Sequence, residues 1–270
     1  MTASATANPR AHALITGASS GIGACFARHL AKRGHALVLC ARRQERLEPL
    51  AAELRPLVPC EVVVCDLEAT DSAQRLVEEL TRRGISVDFL INNAGYGVPG
   101  EFLSQDWSAH QRSLQLMLIG VCELCWRLLP GMRERGQGAI INVASLAGHL
   151  PGSAGHTLYA ATKSFLVKFS QSLALENSEL GIKVMALCPG FTYSEFHDVT
   201  GTRAQVSKMP SYMWMSADEV VEDGLRALEA GQIVRINGRL NRMIARLFAW
   251  LPAGAAMSLM RKRSKDFRKL

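Results

Sequence analysis

A chain of 270 residues with 48% hydrophobic residues can bury one sizeable core, so a single domain is expected. Its formal charge of +7 is local, because ten Lys/Arg and a single Asp fall between Arg235 and Leu270. The body is therefore close to neutral, which excludes a generally basic nucleic-acid binder and assigns the excess charge to the C-terminal end.

The opening "MTASATANPR" lacks the basic-then-apolar order of a secretory signal, and residues 1–11 read as a flexible extension. "HALITG" (12–17) reads as a buried strand and "GIGACFARHLAKRG" (21–34) as a helix closed by Gly34. "ALVLCAR" (36–42), "CEVVVCDL" (60–67) and "VDFLINNAG" (87–95) are further strands, separated by helices over 43–54 and 72–84. A long helix is expected from about 104 to 135. Then come a strand over 138–148, a helix over 157–181, a strand over 182–190 and a helix over 216–231. No run of about 18 uncharged apolar residues suggests a spanning helix. The seven cysteines lie mostly in apolar runs and read as reduced thiols of a cytoplasmic protein. Cys122 and Cys125 form a C-x-x-C with no second pair at metal-site spacing, so they read as helix core and no metal site is expected.

Strands that are apolar throughout and alternate with helices imply a parallel sheet covered on both faces, a doubly wound three-layer α/β/α fold over residues 12–238. Ligands of such sheets bind at the carboxyl ends of the strands. After the first strand, Gly17, Gly21 and Gly23 form a T-G-x-x-x-G-x-G turn entering a helix, where backbone N–H groups and the helix dipole suit a pyrophosphate. After the second, Arg42 stands where an NAD site would carry an acid, and its charge and fork geometry suit a 2′-phosphate. Asp66 follows the third strand, within reach of an adenine amino group. Ser145 ends the fifth, and Tyr159 and Lys163 share one helix face at i, i+4. A neighbouring ammonium would lower the Tyr159 pKa and let the phenol exchange a proton with a carbonyl or alcohol oxygen, while Ser145 donates to the same oxygen.

"TGASSGIG", "CDL", "NNAG", "NVASLAG", "YAATK" and "CPG" followed by Ser194 come in one order across about residues 12–195. In this the chain resembles the short-chain dehydrogenase/reductase family. The resemblance implies a Rossmann-type sheet, interconversion of ketone and secondary alcohol, and NADP(H), with NAD(H) as the alternative cofactor. It implies that Tyr159 is the general acid/base, Ser145 polarises the carbonyl, and Lys163 bonds the nicotinamide ribose. Gly17, Ser19, Ser20, Gly21, Ile22, Gly23, Arg42, Asp66, Leu67, Asn93, Ala94 and Gly95 would hold the cofactor, with Pro189, Gly190 and Thr192 at the nicotinamide. The family also carries an Asn in the long helix, three residues before a Gly and thirteen before the Pro of a Leu-Pro pair. Gly120 and Pro130 both lead to position 117, which is Met, so the water relay expected of that Asn is in doubt.

Residues 191–215, with Phe191, Tyr193, Phe196, Tyr212, Met213 and Trp214, fall where the family has its substrate lid and suit a large apolar ligand, lipid-, acyl- or steroid-like. His149 and His156 lie between Ser145 and Tyr159 and read as pocket edge or structure. Over 239–270, Leu240, Met243, Ile244, Leu247, Phe248 and Leu251 form a helical stripe flanked by Arg239, Arg242 and Arg246 and followed by a polybasic end. Peripheral contact with a membrane surface and packing on protein are both open for this tail. A homodimer or homotetramer is expected from the resemblance. The rival to the enzyme is a nucleotide-binding regulator or membrane-associated scaffold with weak turnover or none.

Overall fold

The computed structural model describes residues 12–155, 157–195 and 210–267. The N-terminal extension, His156, Phe196 and the last three residues lie outside the described residues. So do most of the expected lid and, as side chains, the basic residues from Lys262 onward. Seven strands form one parallel sheet: β1 (His12–Thr16), β2 (Ala36–Ala41), β3 (Cys60–Val64), β4 (Val87–Asn92), β5 (Gly138–Val143), β6 (Ile182–Cys188) and β9 (Val234–Ile236). Their order is β3-β2-β1-β4-β5-β6-β9, so the winding reverses between β1 and β4. That reversal opens a crevice at the carboxyl ends of these strands, where a ligand binds such a sheet.

One face is covered by α1 (Gly21–Lys32), α2 (Gln44–Leu54) and α7 (Ala217–Glu229), which bury Phe26, Leu47 and Leu225 with Ile15 and Met185 of the strands. The other carries α3 (Ser72–Arg82), α4 (Trp107–Leu114), α5 (Gly120–Arg135) and α6 (Thr157–Asn177), which bury Leu76, Leu124 and Leu166 with Leu14 and Ile140. Each layer is closed by apolar side chains on one helix stripe, as the sequence periodicity requires.

Four features depart from the sequence reading. The long helix starts at Trp107, and a π-helical turn over Gln115–Ile119 separates α4 from α5. Within Trp107–Arg135 a stretch of 18 residues, charges included, reaches a mean hydropathy of 1.3, enough by length and composition alone for a spanning helix where none was expected; Leu124, Cys125, Leu128 and Met132 are nevertheless buried against the sheet. The "QIVRING" stretch supplies β9, whose partner is the end of β6, and two short strands outside the sheet, β7 (Phe191–Tyr193) and β8 (Trp214–Ser216), pair in parallel at the edges of the lid. Beyond β9, α8 (Arg239–Trp250) docks through Asn241 and Ala245, and α9 (Ala253–Phe267) follows. The expected stripe is therefore split: Met243 (61%) and Leu247 (54%) are exposed, Leu240, Ile244, Phe248 and Leu251 are partly buried, and Trp250, off the stripe, is 88% exposed.

Candidate active site

The turn after β1 is fixed to the turn after β4. Thr16 Oγ1 donates to the Ile91 carbonyl (3.2 Å) and accepts from the N–H groups of Asn93 (3.0 Å) and Ala94 (3.1 Å). The Asn93 amide donates to the carbonyls of Thr16 (2.9 Å) and Gly17 (3.2 Å). Asn93 therefore shapes the glycine turn through its side chain. Gly17 has φ +66°, and a Cβ on Gly23 would stand 2.3 Å from the Gly17 carbonyl oxygen, so only glycine lets α1 approach this closely. Ser20, the N-cap of α1, provides no side-chain cap, so the first-turn N–H groups face the crevice with the helix dipole behind them. This cradle fits a pyrophosphate.

The two arginines after β2 diverge. Arg42 turns away to Glu68 (2.6 Å), with Asp66 at 3.9 Å, and is exposed. Arg43 turns inward, and its Nη2 donates to Ser19 Oγ (3.1 Å) and Ser20 Oγ (3.3 Å) on the glycine turn. Arg43 is thus the guanidinium on the cradle, a residue the sequence reading did not single out although it stands next to Arg42. Asp66 Oδ1 accepts from the Glu68 N–H (3.1 Å), and Leu67 is buried behind it.

At the ends of β5 and β6, Ser145 Oγ accepts from the Ala147 N–H (3.1 Å), keeping its own proton to give, and is hydrogen-bonded to the Tyr159 hydroxyl. Lys163 is buried, and its ammonium donates to the Val143 carbonyl (2.7 Å) and lies 5.6 Å from the Tyr159 ring centre. Part of the Tyr159 ring is exposed, but its hydroxyl end is enclosed, and burial pushes its pKa up to about 12, with the Ser145 hydrogen bond opposing. The lowering expected from Lys163 is therefore not what sets this group: desolvation of the phenolate raises its pKa, and Ser145 supplies the opposing effect. Burial likewise brings Lys163 down to about 8, with the Cys188 thiol opposing.

A buried polar ladder holds α6 at this angle. Asn92 donates to Asn142 Oδ1 (2.9 Å), Asn142 to Ser170 Oγ (2.9 Å), and Ser170 to the Leu166 carbonyl (2.7 Å). Asn92 and Asn142 open the motifs "NNAG" and "NVASLAG", but the sequence assigned them no role and did not single out Ser170. Asn142, polar inside "GAIINV", was the available signal. Met117 is buried in the π-helical turn, and a Cβ added to Gly95 would lie 2.9 Å from its sulfur and 3.8 Å from Lys163 Nζ. An apolar thioether and the Lys163 ammonium thus both lie beside Gly95, where a polar amide was expected at position 117. Pro189 accepts from the Leu146 N–H (2.8 Å), tying the end of β6 to the Ser145 turn. Thr192 is buried and donates to the Gly190 carbonyl (3.1 Å). A Cβ on Gly190 would meet the Asn241 amide at 2.3 Å, so α8 lies directly beside the site. His149 is partly buried, with Nε2 3.3 Å from Cys188 Sγ. A cavity of about 490 Å³ lined by Leu30, His35 and Phe89 lies at the amino ends of the strands, away from all these groups.

A family profile described as short chain dehydrogenase matches residues 11–204. The chain is 31% identical to the very-long-chain 3-oxoacyl-CoA reductase of Anas platyrhynchos, over 96% of this chain and 81% of that protein. Among solved structures it resembles the short-chain dehydrogenase from Sphingobium yanoikuyae in complex with NADPH, with TM-score 0.80, 36% identity, and coverage of 93% of this chain and 95% of that one. It also resembles the bulky-bulky ketone specific alcohol dehydrogenase from Comamonas testosteroni, with TM-score 0.74, 32% identity, and coverage of 91% and 96%.

Proposed function

This chain belongs to the short-chain dehydrogenase/reductase family, and on that premise we propose that it is an NADP(H)-dependent reductase of bulky apolar ketones, with Tyr159 as its general acid/base. The observation that carries the reading is the convergence of Ser145, Tyr159 and Lys163 beside a glycine cradle that meets Arg43. The crevice residues fit a phosphorylated dinucleotide: the cradle for the pyrophosphate, Arg43 with Ser19 and Ser20 for the 2′-phosphate, Asp66 for the adenine. The nicotinamide, when bound, supplies or accepts the hydride.

Every other contribution is from the chain. Ser145 gives its hydroxyl proton as a hydrogen bond to the substrate oxygen. Tyr159, whose pKa burial pushes up to about 12, is neutral at pH 7 and is positioned to give its proton to the substrate oxygen. As its proton leaves, the Lys163 ammonium stabilises the phenolate. Position 117 contributes no donor, so the centre works with three residues and takes its replacement proton by another route.

The bulky, apolar substrate is supported by Val98, Phe102 and Leu158 around Tyr159 and by stacking of Tyr193 on Trp214 (4.7 Å) at the lid edge. It is also supported by the very-long-chain and bulky-ketone names of the relatives. The test is NADPH oxidation with a panel of ketones, by wild type and Tyr159→Phe. A drop in kcat of about 10²–10⁴ with unchanged folding is expected. Full activity of the Phe variant refutes the mechanism. Met117 favours a second reading, a nucleotide-binding regulator, for which cofactor binding without turnover of any ketone or alcohol is the signature.

The exposed Met243, Leu247 and Trp250 beside Arg239 and Arg246 support peripheral contact of α8 with an anionic membrane from the cytoplasmic side. Liposome co-sedimentation of full-length protein and residues 1–238 tests it, and equal pelleting counts against a tail anchor. Leu103, Trp107 and Trp126, exposed on and next to α4 and α5, support a homodimer or homotetramer through that layer.

A further inference from the structure

The cradle already holds an anion that belongs to the protein. Glu195 follows β7, and its Oε2 accepts from Arg43 Nη2 at 3.1 Å, while its Oε1 lies 3.9 Å from Arg46 Nη1. The same Arg43 nitrogen donates to Ser19 and Ser20 on the glycine turn. The neighbouring Ser194 lies close over that turn, since a Cβ on Gly21 would sit 2.9 Å from Ser194 Cβ. A carboxylate from 152 residues away in sequence thus sits among two guanidinium groups and two hydroxyls beside the open N-terminus of α1. That donor set suits an oxyanion, and a phosphate dianion uses it more fully than a carboxylate.

We propose that Glu195 is a specificity-determining residue, a built-in competitor that occupies Arg43 and is displaced when a 2′-phosphate arrives. This rests on the NADP(H) reading and refines it. A nucleotide with a free 2′-hydroxyl leaves the Glu195–Arg43 pair in place and is bound without that competition. A 2′-phosphorylated nucleotide must break the pair and meets like charge from the carboxylate until it does. Both partners are partly exposed (side chains 39% and 36%), so the pair is weak enough to yield to a dianion. Because Glu195 is on the same strap as Thr192 and Ser194, its release links 2′-phosphate binding to the segment bordering the nicotinamide site.

Calorimetric titration of the full chain with 2′,5′-ADP and with 5′-AMP tests this without turnover. Glu195→Gln removes the charge and keeps the shape. It is expected to bind 2′,5′-ADP roughly twofold to fivefold more tightly than wild type, the range of an exposed ion pair. Binding of 5′-AMP should change by less than about twofold, and the gain should shrink at high salt. Arg43→Ala should lose the preference for 2′,5′-ADP in either background. If Glu195→Gln binds 2′,5′-ADP no better than wild type, or improves both nucleotides equally, the competitor role is overturned. If wild type itself shows no preference for 2′,5′-ADP over 5′-AMP, the NADP(H) reading fails first and this proposal with it.

Discussion

Lys163→Met should make the protein more stable at pH 7 and less stable at pH 9.5. The lysine is 5% exposed, and burial brings its pKa from 10.5 to about 8. A folded-state pKa below the unfolded one means that folding disfavours the bound proton. The cost is therefore complete below about pH 8 and is relieved as pH rises from 8 towards 10.5. With 1.36 kcal/mol for each pH unit of displacement, the penalty is about 3 kcal/mol at pH 7 and about 1.4 kcal/mol at pH 9.5. Methionine of similar length escapes it but leaves the buried Val143 carbonyl without its Lys163 donor, at about 2 kcal/mol at either pH. The variant should then gain about 1 kcal/mol at pH 7 and lose about 0.6 kcal/mol at pH 9.5. Tyr159 and Cys188, both pushed up to about 12 in the folded state, are present in both proteins, so their own pH dependence cancels in the comparison. Urea unfolding of both proteins at the two pH values reads the difference. A gap that stays constant within about 0.5 kcal/mol would refute the claim that this ammonium is held against desolvation.

Gly23→Ala should abolish nucleotide binding, because its Cβ would stand 2.3 Å from the Gly17 carbonyl; fluorescence titration with NADPH measures it, and wild-type affinity would contradict the close approach of α1. Ser170→Ala should cost about 1–3 kcal/mol in urea unfolding, since it strands the buried Asn142 amide. It should also lower kcat by loosening α6, and a silent change in both would separate the ladder from the site. Met117→Asn should put a polar amide near Lys163, favour the ammonium and move the alkaline limb of the pH–rate profile upward. An unchanged profile would mean that position 117 takes no part in proton transfer.

Most of the sheet was legible because each parallel strand is apolar along its length and each covering helix carries a 3.6-residue stripe. β9 was not, since Val234–Ile236 is three residues long and becomes a strand only by pairing with the end of β6. The glycine turn and the Ser145, Tyr159 and Lys163 set could be located by local spacing, as could Met117 in place of an amide. The roles of Arg42 and Arg43 could not be divided. Their charges are equal in sequence, and Glu68 on one side and Ser19 with Ser20 on the other separate them.

The sequence alone therefore determined the layered fold, the end of the sheet to search and the chemical types of the central side chains, because these follow from periodicity and short-range spacing. Only the tertiary structure decided the state of those side chains. Spacing suggested that Lys163 would lower the Tyr159 pKa, yet burial of the hydroxyl raises it, and the π-helical turn packs the Met117 thioether against Gly95, beside which the Lys163 ammonium also lies. The contact of Glu195 with Arg43 joins residues 152 positions apart. Desolvation and long-range ion pairing depend on everything that surrounds a group in space, and a linear order of residues does not contain that neighbourhood.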